Sequence, residues 1–203
     1  MENIIKKPKI VLVRHAQSTI NRDASLAKNK TKEDCIEINT NSTLTENGTK
    51  EAFEVADKLY NFYNNQIIKI YVSKFLRSHL TGMIIASKFE KCEIIADKRI
   101  NEINLFEYNE TSDILKKILR DLRTGFINHD KDQIIFESGT LLKEKYLEML
   151  SFLNEIEGDA VVVSHTLALS SLFVNTGIEN EKKLKIANCD TFIYEKEKVK
   201  RLV

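Results

Sequence analysis

Ile10-Val11-Leu12-Val13-Arg14-His15-Ala16-Gln17-Ser18-Thr19 is an apolar run that stops abruptly at Arg-His. From Lys9 to Val13 there is no helical period. A short, continuous aliphatic run of this kind is the pattern of a strand buried on both faces. A second such run, Ala160-Val161-Val162-Val163, ends in Ser164-His165. Strands buried on both sides belong to parallel sheets, and ligands of open parallel sheets bind beyond the carboxyl ends of the strands. Parallel alignment of these two strands would bring His15 and His165 to face each other at that end.

Between the two runs, strand and helix patterns alternate. Thr45 is placed to cap a helix whose buried face carries Ala52, Val55, Ala56, Leu59, Tyr60 and Tyr63. Ile67 to Val72 is rich in Ile and Val and reads as a strand. A helix is predicted from about Leu76 to Phe89, a short strand over Cys92 to Ala96, and a helix over Asp113 to Arg123. A longer helix carries Leu142, Tyr146, Met149, Leu150, Leu153 and Ile156 at helical spacing, and Thr166 to Val174 reads as the helix after the second buried strand. Thr191 to Tyr194 and Val199 to Leu202 close the chain as strands or a terminal hairpin. Alternation of this kind predicts an α/β fold, three layers α/β/α around a mostly parallel central sheet. Pro8 is the only proline, and no repeat or Gly/Ser-rich linker interrupts the chain, so one domain over residues 1–203 is expected.

Bulk composition narrows the function. A chain that is 42% hydrophobic and 30% charged is ordinary for a soluble globular protein. A formal net charge of +1 argues against a broad basic surface for nucleic acid. No stretch is apolar enough to span a bilayer, and Met1 to Lys9 lacks the apolar run of a signal peptide, so the expectation is a cytoplasmic protein without a membrane partner. The three cysteines, Cys35, Cys92 and Cys189, are odd in number and not at metal-ligand spacing, which fits small buried side chains in a reducing compartment. There is no H-E-x-x-H and no G-x-x-x-x-G-K-[ST] loop. Neither a metal nor another cofactor is expected.

The chemistry suggested by the two strand ends is phosphoryl transfer. A neutral histidine nitrogen is a competent nucleophile that forms a covalent intermediate. An arginine beside it can grip phosphate oxygens in fork geometry, and a second histidine can stabilise charge on the group in flight. A single histidine after a strand is more often an ordinary hydrogen-bonded side chain. It is the pair, with Arg14 adjacent, that favours a site.

Leu12-Val13-Arg14-His15-Ala16-Gln17-Ser18-Thr19-Ile20-Asn21 resembles the L-V-R-H-G-[EQ]-[ST]-x-x-N signature of the histidine phosphatase superfamily, the phosphoglycerate-mutase-like proteins, with Ala16 where glycine is usual. Further segments match in order. Leu44-Thr45-Glu46-Asn47-Gly48 resembles L-T-x-x-G. Ser73-Lys74-Phe75-Leu76-Arg77-Ser78-His79-Leu80-Thr81 resembles S-x-L-x-R-[AS]-x-x-T. Ile100-Asn101-Glu102 is similar to L-x-E, Glu137-Ser138 to G-E-S without its glycine, and Val161 to Thr166 to V-V-S-H-G with Thr166 in the glycine's place. Asn188 fits an asparagine common before the last strand.

The resemblance implies a phosphoglycerate-mutase-like fold and a residue-by-residue site. His15 would be the nucleophile. Arg14, Arg77 and His165 would hold the phosphoryl oxygens, Asn21, Ser18 and Thr166 would add neutral contacts, and Glu102 would be the proton donor to the leaving alkoxide. The implied activity is a metal-independent phosphatase acting on a small phosphorylated substrate, as monomer or homodimer. Mutase chemistry of the phosphoglycerate type and a non-catalytic phosphate-binding protein are the alternatives. The family's glycolytic mutases carry longer segments after the acid than this chain does. Between Glu102 and Glu137, Lys116, Lys117, Arg120, Arg123 and Lys131 are either contacts for an anionic substrate or a solvated helix face. His79, in a predicted helix, and His129, in a polar stretch, read as ordinary. Glu107 is a weak candidate for a second acid.

Overall fold

In the computed structural model, residues 8–66, 68–103, 140–176, 186–195 and 197–202 are described. In chain order they form β1 (Ile10–Arg14), α1 (Thr19–Arg22), α2 (Lys32–Asn41), α3 (Glu46–Tyr63), β2 (Ile68–Val72), α4 (Leu76–Ala86), β3 (Cys92–Ala96), α5 (Thr140–Asn154), β4 (Ala160–Ser164), α6 (Thr166–Thr176), β5 (Thr191–Glu195) and β6 (Lys198–Arg201). Short 3-10 turns occupy Ala24–Ala27 and Lys98–Ile100. The expected helix over 113–123 lies outside the described residues, as do Glu107, His129, Glu137, Ser138 and the basic residues from Lys116 to Lys131.

The sheet order is β3-β2-β4-β1-β5-β6. Its first four strands are parallel, and β5 and β6 add as an antiparallel hairpin. Alternate side chains of the central strands enter two cores. Ile10, Leu12, Ala160 and Val162 pack with Met149, Phe152, Leu169 and Phe173 of α5 and α6. Val11, Val13, Val161 and Val163 pack with Val55, Leu59, Tyr63 and Ile85 of α3 and α4. That is why β1 and β4 carry no polar alternation: helices cover both faces. The expected three-layer arrangement is the observed one.

Register does the work of assembling the site. β1 and β4 pair from Ile10 with Ala160 to Arg14 with Ser164, so both chains leave the sheet at the same level. The His15 N–H then donates to the Ser164 carbonyl at 2.9 Å.

Several expectations are adjusted. Tyr60, expected on the buried face of α3, is 36% exposed; Tyr63 fills the core instead, its hydroxyl donating to the Ala160 carbonyl at 2.8 Å. α4 ends at Ala86, although Phe89 beyond it is buried. α1 and α2 have no counterpart in the sequence reading. α2 buries only Cys35 and Asn39, too narrow a stripe to show as a period, though its Thr31-x-x-Asp34 capping box was present in the sequence.

Candidate active site

His15 is 2% exposed. Its Nδ1 lies 2.7 Å from the Ala16 carbonyl oxygen. A carbonyl only accepts, so Nδ1 carries the proton and Nε2 keeps its lone pair. The Nε–H of Arg77 donates to that lone pair at 3.0 Å. The neutral tautomer with its lone pair on Nε2 is therefore fixed by the backbone beside it.

Arg77 is the first-turn residue of α4, buried, with its guanidinium 4.8 Å over the Phe75 ring. Its Nη1 donates to the Asn39 carbonyl near the end of α2. Arg14, the last residue of β1, donates through Nη1 to the Ile186 carbonyl at 2.7 Å. Both guanidiniums are thus oriented by backbone oxygens of distant segments.

The loop after His15 is clamped from several sides. The Ala16 N–H donates to Thr81 Oγ1 at 3.1 Å, the Gln17 N–H to Glu51 Oε2 at 2.8 Å, and the Thr45 N–H to the Gln17 carbonyl at 3.0 Å. Thr45 Oγ1 caps α3 by accepting from the Gly48 N–H at 2.9 Å. A Cβ on Gly48 would lie 2.0 Å from the Gln17 carbonyl oxygen, so glycine is what lets α3 approach this loop. Ala16 and Thr166 stand where the family signature has glycine, and neither has a positive φ. The turn tolerates both side chains.

His165 is fully buried, its ring centroid 4.9 Å from that of His15 and 5.0 Å from that of Phe75. Its Nε2 lies 2.6 Å from Ser73 Oγ. That oxygen already accepts the Phe75 N–H at 3.2 Å. With the hydroxyl proton donated to Nε2, the ring proton of neutral His165 lies on Nδ1; with Nε2–H donated to Oγ, it lies on Nε2. Among the described residues this buried Nδ1 has no hydrogen-bond partner. Burial, then the charges of Arg77, His15, Arg14 and Lys145, hold the His165 pKa well below the usual histidine value. The ring is therefore neutral near pH 7.

Glu102 is half-buried and follows the 3-10 turn Lys98–Ile100. Its carboxylate accepts three backbone N–H groups: Ile103 at 3.1 Å, Ala168 at 3.1 Å and Leu167 at 3.3 Å. The last two belong to the first turn of α6, directly after His165. Glu102 and His165 are thereby held side by side through the start of one helix.

The lesser candidates are placed as follows. Ser18 is buried, and its hydroxyl donates to Asn21 Oδ1 at 2.9 Å; the Ser18 N–H reaches the same oxygen at 3.3 Å. Asn21 is exposed on α1, with its carboxamide oxygen turned to Ser18. Thr166 is buried as the first residue of α6. Asn188 is half-buried, and its Oδ1 has no partner among the described residues. Among the described residues, no three His, Cys, Asp or Glu side chains gather as a metal site, and no helix is long and apolar enough to cross a membrane.

The sequence reading missed Ser73 and the structural part of Phe75. Both sit in the segment matched for Arg77, but their contacts with His165 depend on packing between elements 92 residues apart. A buried serine at a strand end is the available signal, and it is weak.

The family model for the histidine phosphatase superfamily, branch 1, matches residues 10–201. Phosphoglycerate mutase-like protein 4 of Arabidopsis thaliana is 26% identical over 196 residues, covering 91% of this chain and 78% of that protein. Phosphoglycerate mutase from Bacillus anthracis superposes with a TM-score of 0.64 at 15% identity, covering 96% of this chain and 91% of that one. A phosphoserine phosphatase variant from Entamoeba histolytica, in complex with phosphoserine, gives a TM-score of 0.56 at 22% identity, covering 97% and 96%.

Proposed function

Because the chain belongs to the histidine phosphatase superfamily, we propose that it hydrolyses small phosphomonoesters through a phosphohistidine on Nε2 of His15. The observation that carries this reading is the tautomer lock: Nδ1–H on the Ala16 carbonyl, and the Nε2 lone pair facing the Arg77 guanidinium.

The reaction runs in two steps. Phosphate oxygens of the substrate accept the Arg77 N–H that otherwise covers Nε2, which frees the lone pair. Arg14 and Arg77 neutralise the phosphoryl charge, and the Nδ1–H of His165 supplies a further donor. Nε2 attacks phosphorus, the ester P–O bond breaks, and the leaving alkoxide takes a proton from Glu102, whose carboxylate has first accepted that proton from the incoming phosphomonoester monoanion. In the second step Glu102 accepts a proton from water, the water oxygen attacks phosphorus, and the P–N bond breaks to return His15 and inorganic phosphate. Asn21, Ser18 and Thr166 are proposed as minor contacts of the phosphoryl site. No metal or other cofactor takes part, and neither nucleic acid nor a membrane is a partner.

p-Nitrophenyl phosphate tests this reading. Hydrolysis is expected to survive EDTA and to vanish in His15→Ala. Full activity in that variant would overturn the mechanism. Rapid interconversion of 3- and 2-phosphoglycerate with little phosphate release would assign the same phosphohistidine to a mutase instead.

A further inference from the structure

Glu102 lies in neither a helix nor a strand. An acid must nevertheless come within hydrogen-bond reach of the oxygen it protonates, and loops hold side chains less closely than regular elements do. Among the described residues the Glu102 carboxylate has only backbone partners, the N–H groups of Ile103, Leu167 and Ala168. No described side chain grips it. Its place therefore depends on how the turn before it is held.

Two side-chain hydrogen bonds hold that turn, one at each of the two residues before Glu102. Ser164, the fully buried last residue of β4, donates its hydroxyl to the Ile100 carbonyl at 2.9 Å. Asn101 is half-buried, and its Oδ1 accepts the Lys74 N–H at 2.9 Å. Both anchors flank the histidine pair. Ser164 directly precedes His165, and its carbonyl accepts the His15 N–H at 2.9 Å. Lys74 directly follows Ser73, whose Oγ lies 2.6 Å from His165 Nε2. The turn before Glu102 is thus tied to the ends of β2 and β4, the same two strand ends that hold the histidines.

We propose that Ser164 and Asn101 are positioning residues for the acid: they set where the Glu102 carboxyl stands relative to His15 and His165. The inference rests on the hydrolase reading above, in which Glu102 protonates the leaving group. Both side chains act through Glu102 and not on the phosphoryl group. Loss of either bond frees the turn, and a misplacement of about 1 Å costs up to about 100-fold where geometry governs the rate. The cost falls only on the step that uses the proton, so it grows with the basicity of the leaving group.

Phenyl phosphate and p-nitrophenyl phosphate are close in shape, but phenolate is the more basic leaving group and needs the acid more. Ser164→Ala and Asn101→Ala are each expected to lower kcat for phenyl phosphate about tenfold more than for p-nitrophenyl phosphate, with KM within about twofold of the parent. Ser164→Thr, which keeps the hydroxyl, should recover most of that difference. In a Glu102→Gln background neither alanine substitution should add to it, because the acid they place is gone. Equal losses on both esters, or an undiminished further loss in Glu102→Gln, would overturn the inference. The half-buried Asn101 keeps the test open should Ser164→Ala fail to fold. Amide NMR reads the same geometry without turnover. Asn101→Ala should shift the Leu167 and Ala168 N–H signals, which that residue reaches only through the Glu102 carboxylate. Unchanged signals would overturn the inference. Shifted signals in a protein that hydrolyses neither ester would refute the hydrolase reading and leave the positioning of Glu102 standing.

Discussion

Replacing Ser73 by alanine isolates the second histidine from the first. The Ser73 hydroxyl is fully buried and serves two groups: it bonds Nε2 of His165 at 2.6 Å and accepts the Phe75 N–H at 3.2 Å. Alanine leaves both groups without a partner in a site with no room for bulk water. Each unsatisfied buried polar group costs about 1–3 kcal/mol, so a loss of roughly 2–6 kcal/mol of stability is expected for the two. For a chain of this size that is a fall in Tm of about 5–20 °C. The functional effect is separate. Without the hydroxyl, nothing fixes the proton of neutral His165 on Nδ1, where the proposed mechanism uses it, and the donor to the phosphoryl oxygens is partly lost. Loss of one hydrogen bond to a charged group, about 1.5–3 kcal/mol, corresponds to a fall in kcat of about 10- to 100-fold. Steady-state assays below the new Tm, with nitrogen NMR of the imidazoles to read the tautomer, measure both effects. A kcat within about twofold of the parent, or an unchanged His165 tautomer, would refute the reasoning.

Three further outcomes follow from the same geometry. Gly48→Ala pushes a Cβ to 2.0 Å from the Gln17 carbonyl, so α3 and the His15 loop must separate; a loss of about 1–3 kcal/mol in urea unfolding and a clear drop in kcat are expected, and an unchanged protein would show the contact to be soft. His165 has a lowered pKa when folded, so below about pH 6.5 the unfolded chain takes up a proton that the folded one excludes. Stability should then fall as pH drops below that value, by up to about 1.4 kcal/mol per pH unit, and His165→Asn should lack this share of the slope in unfolding measured across the window; equal slopes would contradict a neutral His165. Glu102→Gln should lower kcat/KM by about 100-fold or more for alkyl phosphates, yet far less for p-nitrophenyl phosphate, whose leaving group needs no proton. Equal losses on both substrates would remove Glu102 from the acid role.

Much of this arrangement was legible in the sequence because burial writes itself plainly into strands. The runs ending in Arg14-His15 and Ser164-His165 lack alternation since helices cover both their faces, and the order of short motifs placed Arg77 and Glu102 at the same end of the sheet. What was hidden depends on tertiary register. Nothing in Ser73 itself says that its hydroxyl meets a histidine across the sheet. Asn39 acts through a backbone oxygen, which no side-chain pattern encodes. Tyr60 and Tyr63 fit the same helical stripe, and only packing against Ala160 decides which one is buried. The two departures from the family signature, Ala16 and Thr166, bring no backbone strain because neither position uses a positive φ.

Trapping the covalent intermediate addresses the central claim most directly. The protein would be mixed with a labelled phosphomonoester, quenched in alkaline denaturant within the first turnover, and mapped by mass spectrometry. One phosphoryl group is expected on the peptide containing His15, stable to alkali, lost in acid and absent from His15→Ala. Phosphate release with no label on His15, or a label that persists in His15→Ala, would contradict the account.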